Sequence, residues 1–183
     1  MACRQIDNRY AAEGYIIKEV PWDDALRTIT FPESEEISFQ TLDKIFEEID
    51  LEDEKIKQAI MQQYNEIFIW NEATRKQKEI LAPQVKIIHG LCNLPRIYYP
   101  KFKPLVTEET VWKLNERDLY IHFGQMLQWF GINFYDYNKF KKGVIDLCND
   151  FNLNEDDILM NPSNIGYHPV LGLRIIDYGL SED

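Results

Sequence analysis

Much of this chain places apolar residues three and four positions apart, the spacing that lines one face of an α-helix. Four such stretches run over residues 33–54, 53–83, 118–130 and 136–151. Ser38 and Asp136 are suited to capping their helices, and Gly131 is suited to ending one. Pro83 would end the second stretch, which is either one long helix or two.

Short β-branched and aromatic runs lie around the helical stretches. They are GYIIKEV (14–20), RTITF (27–31) and residues 85–89, 96–99, 165–167 and 173–176. Runs this short, bounded by Gly and Pro, are typical of small antiparallel strands. The order of strands, helices, a little strand, helices and strand predicts an α+β fold, mainly helical with short antiparallel strands. The chain is long enough for a core, and we expect a single domain over residues 1–183.

The charge of the chain limits its partners. Its 20 Lys and Arg against 31 Asp and Glu give a net charge of 20 − 31 = −11. Direct binding to nucleic acid or to an anionic membrane is therefore unfavourable, and a basic protein partner is more plausible. We expect a cytoplasmic protein, because the sequence has neither a spanning apolar stretch nor a signal-peptide pattern. Three scattered Cys and three scattered His predict reduced thiols and no structural metal.

The negative charge is concentrated in an acidic N-terminal part, residues 1–60. Between Glu33 and Glu54 there are ten acids and one Lys, yet apolar residues keep a helical spacing there. This pattern predicts an amphipathic helix with an acidic outer face. Such a face is either a solvated surface or a phosphate-like surface that fills the basic groove of a nucleic-acid-binding enzyme, as in small phage and mobile-element inhibitors.

Aromatic residues fall into two expected groups. Trp22, Trp70, Trp112 and Trp129 are expected in the core rather than at a stacking site. Tyr98, Tyr99 and Phe102 lie between prolines and form either an exposed assembly surface or a loop packed on its own core; both interpretations stay open.

The last thirty residues hold the side chains best suited to chemistry. Asn164 precedes a short extended run, Gly172 supplies a turn, and a second apolar run leads to Asp177. A hairpin of this kind sets an amide oxygen and a carboxylate at one end, where both can bind a Mg²⁺ ion attached to a nucleotide phosphate. Hard oxygen ligands suit Mg²⁺ and do not suit zinc. The same residues also suit a plain turn and a strand end, so both interpretations stay open.

This C-terminal pattern resembles that of protein kinases, in the divergent form of small phage-encoded kinase-like proteins. In that family a catalytic loop ending in Asn is followed by a strand pair and the triplet Asp-Phe-Gly, and this Asn and Asp bind metal. Here NPSN (161–164) stands where the loop ends and DYG (177–179) stands at the triplet. The resemblance covers about residues 94–183 and implies a truncated or degenerate kinase-like lobe, with helix 136–151 preceding the loop.

Upstream, the resemblance places Lys18 on the strand that carries the phosphate-binding lysine. Glu66 or Glu72, on a helix, would be its partner. A solvent-exposed strand lysine is the simpler interpretation of Lys18. Gly14 is the only glycine among residues 1–17. The glycine-rich loop that covers the phosphates in the family is therefore absent before Lys18 in this sequence.

Two further departures concern the loop and the end of the chain. Leu159 stands five residues before Asn164, where the family has its catalytic base. Asp157 or Asp156 would replace that base if the loop were longer, or these acids simply open a helical turn. Four residues follow Gly179, so we expect the activation segment and the helical lobe of the family to be missing.

These patterns predict a degenerate kinase-like binding or regulatory protein, able to bind MgATP, rather than an active phosphotransferase. The resemblance assigns Lys18 to phosphate, Asn164 and Asp177 to Mg²⁺, and Asp157 to the role of the only base. The alternative hypothesis is an acidic inhibitor of phage or mobile-element type. Such a protein blocks a basic nucleic-acid-binding enzyme without chemistry of its own.

Overall fold

The computed structural model describes residues 4–6, 14–20, 26, 30–32, 37–48 and 53–179. Within these ranges the chain forms seven α-helices and two small antiparallel sheets, which confirms the predicted mainly helical α+β fold. Contacts divide the chain into two compact units. The first consists of residues 1–72 and 83–101, and the second of residues 73–82 and 102–183. The single domain over residues 1–183 stays a prediction.

A four-stranded antiparallel sheet is the framework of the first unit. Its strands are β1 (Arg4–Ile6), β2 (Tyr15–Glu19), β3 (Lys86–His89) and β4 (Pro95–Pro100), in the spatial order β1-β2-β4-β3. The strand predicted in GYIIKEV is β2, and the two runs predicted near 85–99 form the β3–β4 hairpin. Every second residue of β4 is buried, the period of a strand with one face against a core.

Two helices belong to the same unit, α1 (Phe39–Glu48) and α2 (Glu54–Glu72). The Thr41 N–H donates to Ser38 Oγ (3.2 Å), which confirms the predicted cap of α1. Asp53 caps α2 in the same way, accepting from the Lys55 N–H (2.9 Å). The apolar faces of both helices contribute to one core cluster: Val20, Leu26, Phe31, Leu42, Phe46, Ile56, Ala59, Ile60, Tyr64 and Leu94.

Two other predictions for the N-terminal half have mixed outcomes. The stretch 53–83 is two helices, because α2 ends at Glu72 and a short helix α3 (Arg75–Lys78) follows, with Thr74 as its cap. The strand predicted in RTITF falls partly on residues 27–29, which lie outside the described residues. Thr30 and Phe31 belong to no strand.

Helices dominate the second unit. After α3 they are α4 (Glu108–Lys113), α5 (Glu116–Trp129), α6 (Phe134–Phe151) and α7 (Glu155–Leu159). Asn133 caps α6, since its Oδ1 accepts from the Asp136 N–H (2.8 Å). The prediction that Asp136 is this cap is wrong, because Asp136 lies inside the first turn. Gly131 follows the end of α5 with a φ of 70°, as predicted for a helix stop.

The second sheet has three antiparallel strands, β5 (Lys103–Pro104), β6 (Ile165–His168) and β7 (Gly172–Ile175), in that order. The predicted hairpin is β6–β7, and Gly172 provides its turn with a φ of 74°. Gly166 has no room for a side chain, because a Cβ there would lie 2.7 Å from Phe102 Cβ and 2.8 Å from Ile176 Cγ2. The predicted stripe of α6 is largely confirmed by its buried residues: Phe140, Val144, Leu147 and Cys148.

The aromatic predictions are partly wrong. Trp112 and Trp129, expected in the core, are exposed. Tyr99 and Phe102 are buried and Tyr98 is half-buried, which favours packing on the core of the chain over an assembly surface. Trp70 is half-buried, and Trp22 lies outside the described residues. Tyr99 is buried because it occupies an inward position of β4, so its environment follows from strand register rather than from the prolines around it.

Candidate functional site

Lys18 lies on β2 with only 3% of its surface exposed. Its Nζ donates a hydrogen bond to Oε1 of Glu66 on α2 over 2.7 Å, and Glu66 is itself 1% exposed. The interpretation of Lys18 as a solvent-exposed lysine is therefore wrong. Of the two partners that the resemblance implies, the structure has Glu66, since Glu72 is exposed at the end of α2.

The Glu66 carboxylate binds a second donor. The Tyr99 hydroxyl on β4 donates to Oε2 over 2.5 Å, and Nζ of Lys18 lies 5.2 Å from the centroid of the Tyr99 ring. Gln84 Nε2 donates to the backbone oxygen of Glu66 (2.8 Å). Both carboxylate oxygens are thus hydrogen-bonded, which is the condition under which a buried ion pair is tolerated.

One turn earlier on α2, Gln63 ties the helix to the sheet. Its Nε2 donates to the backbone oxygens of Lys18 (2.9 Å) and Pro95 (3.0 Å). Sequence reasoning missed Gln63, Tyr99 and Gln84. A signal for the first was present, because Gln63 continues the three- and four-residue spacing of the apolar face of α2. A polar residue in an apolar stripe indicates a buried hydrogen bond.

Asn164 ends the 3₁₀ turn Pro162–Asn164, directly before β6, and is 8% exposed. Its backbone oxygen accepts from the Ile176 N–H (2.8 Å), which extends the β6–β7 pairing by one residue. Asp177 is the next residue along the chain and is half-buried. The backbones of residues 164 and 177 therefore meet at one end of the hairpin, and their shared binding of a cation stays a prediction.

A hydrogen bond to the neighbouring helix orients the Asn164 side chain. Its Nδ2 donates to the backbone oxygen of Asp157 (2.8 Å). Because Nδ2 is engaged in this way, Oδ1 is the atom left for a ligand, and among the described residues no hydrogen bond to it occurs. An amide oxygen held in a buried position is a suitable ligand for a hard cation.

Asp157 lies in the first turn of α7 and is exposed. Asn154 caps this helix by accepting from the Asp156 N–H (3.0 Å), so the interpretation of these acids as the opening of a helical turn is confirmed. Leu159 is half-buried and contributes no proton acceptor. The hydrogen bond from the Asn164 side chain to the Asp157 backbone oxygen links the segment of the candidate base to the segment of the candidate metal ligand.

These residues form two groups, each described within its own unit. Lys18, Glu66 and Tyr99 belong to the first unit, and Asp157, Asn164 and Asp177 belong to the second. In the described part of the chain, no group of three His, Cys, Asp or Glu is arranged to hold a metal ion. A nucleotide-bound Mg²⁺ needs fewer protein ligands, because phosphate oxygens and waters complete its coordination.

Comparisons with protein-family models, with curated proteins and with solved structures found no match to this chain. A search of the described helices for one both long and apolar enough to cross a bilayer also found none. The functional argument therefore depends on the residues of this chain and on the contacts just described.

Proposed function

We propose that the protein is a degenerate kinase-like protein that binds MgATP and acts by binding or regulation in the cytoplasm. The observation that carries this proposal is the buried pair of Lys18 and Glu66. An ion pair in a dry interior gives little net stability, because the desolvation of both charges offsets their attraction. Buried charged groups with specific partners occur often at functional sites, and a lysine held by a carboxylate is a common phosphate ligand.

In this proposal Lys18 contributes a fixed positive charge to nucleotide phosphate, while Glu66 and Tyr99 orient its ammonium group. The resemblance assigns Asn164 Oδ1 and the Asp177 carboxylate, in the other unit, to a Mg²⁺ ion bound to phosphate. The metal neutralises phosphate charge, and the protein supplies position and orientation. The hydrogen bond from Asn164 to Asp157 supports this assignment, since it fixes which side-chain atom of Asn164 faces a ligand.

Efficient phosphoryl transfer is not part of the proposal. A general base must reach the hydroxyl group from which it takes a proton, and the family's position for that base is Leu159. Asp157 is the replacement available, on an exposed helical turn. The sequence before Lys18 also lacks the glycines that would cover the phosphates. We therefore expect nucleotide binding with slow or no turnover.

The test measures the thermal unfolding midpoint of the protein with ATP and Mg²⁺, and with ATP and a chelator. A ligand concentration of about one hundred times the Kd stabilises the folded protein by about 2.7 kcal/mol, which raises the unfolding midpoint by several degrees. We expect Asp177→Asn to abolish the rise that depends on Mg²⁺. The matched control is Asp146→Asn, which changes an exposed acid of α6 in the same unit and should keep the rise.

Absence of a rise at millimolar MgATP would refute the nucleotide proposal. An equal rise in Asp177→Asn and in the unchanged protein would refute the metal assignment. Hydrolysis of ATP in the same samples, followed as phosphate release, separates a binding protein from a working phosphotransferase. Fast ATP hydrolysis that Asp157→Asn abolishes would overturn the proposal that the protein acts by binding alone.

A second candidate function is the acidic inhibitor, and one observation favours it. In α1, Leu42 and Phe46 are buried while Asp43, Glu47 and Glu48 are exposed, so the described part of the helix has the acidic outer face that the sequence predicts. Such a face would compete with DNA for the basic groove of a nucleic-acid-binding enzyme.

The inhibitor hypothesis predicts binding that weakens as salt is raised. Reversal of Glu47, Glu48 and Asp53 to Lys should weaken the binding further and restore DNA binding by the enzyme. Glu52, which lies outside the described residues, is a fourth acid of this stretch to reverse. Inhibition that is indifferent to salt and to charge reversal would contradict this mechanism.

A further inference from the structure

The second unit carries an open groove of about 560 Å³, lined by α5 and by residues 159–162. Its apolar lining residues are Leu119, Tyr120, Ile121, Phe123, Leu159 and Met160. Tyr120, Met160 and Ile121 are 78%, 58% and 48% exposed. Large apolar side chains gathered on one concave surface indicate a binding site more strongly than the same residues scattered singly.

The helices that border the groove carry more acids than bases, while the charged residues of the lining itself are one of each, Glu116 and Arg117. Three helices contribute: α5 and α7 supply lining residues, and α4 contacts the 3₁₀ turn that holds Pro162. These three helices together contain seven exposed acidic residues and two basic residues, so their net charge is 2 − 7 = −5. The acids are Glu108, Glu109, Glu116, Asp118, Glu155, Asp156 and Asp157, and the bases are Lys113 and Arg117.

We propose that this groove binds a basic amphipathic α-helix of a partner protein. Apolar side chains of the partner, spaced three and four residues apart, fill the groove, and its Lys and Arg residues face the acidic border. Recognition works through side chains here, because the groove is lined by helices whose backbone groups are largely bonded within each helix. An extended peptide therefore finds no strand edge in the lining with which to pair.

The same charges argue against two other occupants. A nucleic acid would place its phosphates close to helices whose net charge is −5, which is unfavourable. A second copy of this chain would bring an identical acidic border against the first, since both copies carry the same −5 over these helices. A basic helix is the partner that satisfies both the apolar lining and the charge of its border. This inference is independent of nucleotide binding.

The test uses a fluorescent peptide of about 18 residues, roughly five helical turns, made of Leu and Lys with every Leu on one face. Its affinity for the full chain is measured by fluorescence anisotropy. Two matched peptides are the controls: one has the same composition in scrambled order, and one has Glu in place of Lys. We expect both controls to bind at least about tenfold more weakly, and the basic peptide to weaken as salt is raised.

Substitutions in the protein locate the site. Met160→Lys and Ile121→Lys should each weaken the basic peptide about tenfold, because each puts a positive charge into the apolar lining. Val170→Lys adds the same charge at an apolar residue that is 85% exposed outside the groove, and it should change nothing. Asp177→Asn should also leave peptide binding intact, which separates this inference from the nucleotide proposal.

Three results would overturn the inference. The first is equal binding of the scrambled peptide, and the second is an equal loss of affinity in Val170→Lys and Met160→Lys. The third is self-association in sedimentation velocity that Met160→Lys abolishes, because the occupant would then be a second copy of the chain. Met160 is largely exposed, so we expect Met160→Lys to leave the core packing and the fold unchanged.

Discussion

Replacing Glu66 by Gln would remove the carboxylate charge to which the buried ammonium group of Lys18 is bonded. At the 2.7 Å that separates Nζ from Oε1, Coulomb's law with an effective dielectric constant of about 20 gives an attraction of about 6 kcal/mol. Desolvation of the two ions offsets much of this energy, so the intact pair contributes little net stability. The variant keeps the desolvation of Lys18 and loses the attraction. We expect Glu66→Gln to lower the free energy of unfolding by about 3–5 kcal/mol.

The assay is urea unfolding followed by circular dichroism. Glu72→Gln is the matched control, because it makes the same change at an exposed residue of the same helix and should cost no more than about 0.5 kcal/mol. The double variant Lys18→Met with Glu66→Gln removes both charges and should be more stable than Glu66→Gln alone. Equal losses in Glu66→Gln and Glu72→Gln, or a double variant as unstable as the sum of its parts, would refute the reasoning.

Three further predictions concern α6. Leu147→Ala removes a fully buried side chain and should lower the free energy of unfolding by about 2–5 kcal/mol in urea, whereas a loss well under about 1 kcal/mol would contradict the core assignment. Asn133→Ala removes the cap of α6 and should lower the free energy of unfolding by about 1 kcal/mol. The control Asn138→Ala, at an exposed residue inside the helix, should lower it very little, and equal losses would argue against capping. Burial, with a smaller contribution from Glu155, raises the pKa of the Cys148 thiol from 9.0 to about 11. The unfolded chain therefore ionises this thiol first, and stability should fall between about pH 9 and pH 11, more in the unchanged protein than in Cys148→Ala.

The local elements of the fold follow from sequence spacing, and the errors come from choices between equivalent residues. Helices α5 and α6 and the β6–β7 hairpin depend on patterns of four to eighteen residues, which the chain displays directly. The cap of α6 was predicted one turn too late because Asn133 and Asp136 are both good cap residues. In the structure they bond to each other, with Asn133 Nδ2 donating to Asp136 Oδ2 (2.7 Å). Side-chain type alone does not say which of the two accepts the first free N–H group.

Burial depends on neighbours that a sequence does not name. Lys18 follows Ile17 on β2 and both are buried, and Lys18 is bonded to Glu66 of α2. An isolated strand pattern predicts that one of two successive residues faces solvent. Residues 164 and 177 were predictable as neighbours because a single hairpin joins them. Lys18 and Glu66 are 48 positions apart, and only the resemblance to kinases connected them.

The bonds of Gln63 and Glu66 also fix the angle of α2 about its own axis. A shift of one residue along the sheet would rotate the helix by about 100°. Both polar side chains would then lose their partners, and a charge would be buried among apolar groups. An all-apolar contact face tolerates such a rotation far better, since one aliphatic side chain substitutes for another. The polar residues therefore favour a single rotation of α2 about its axis, and they keep the ammonium group of Lys18 in one orientation.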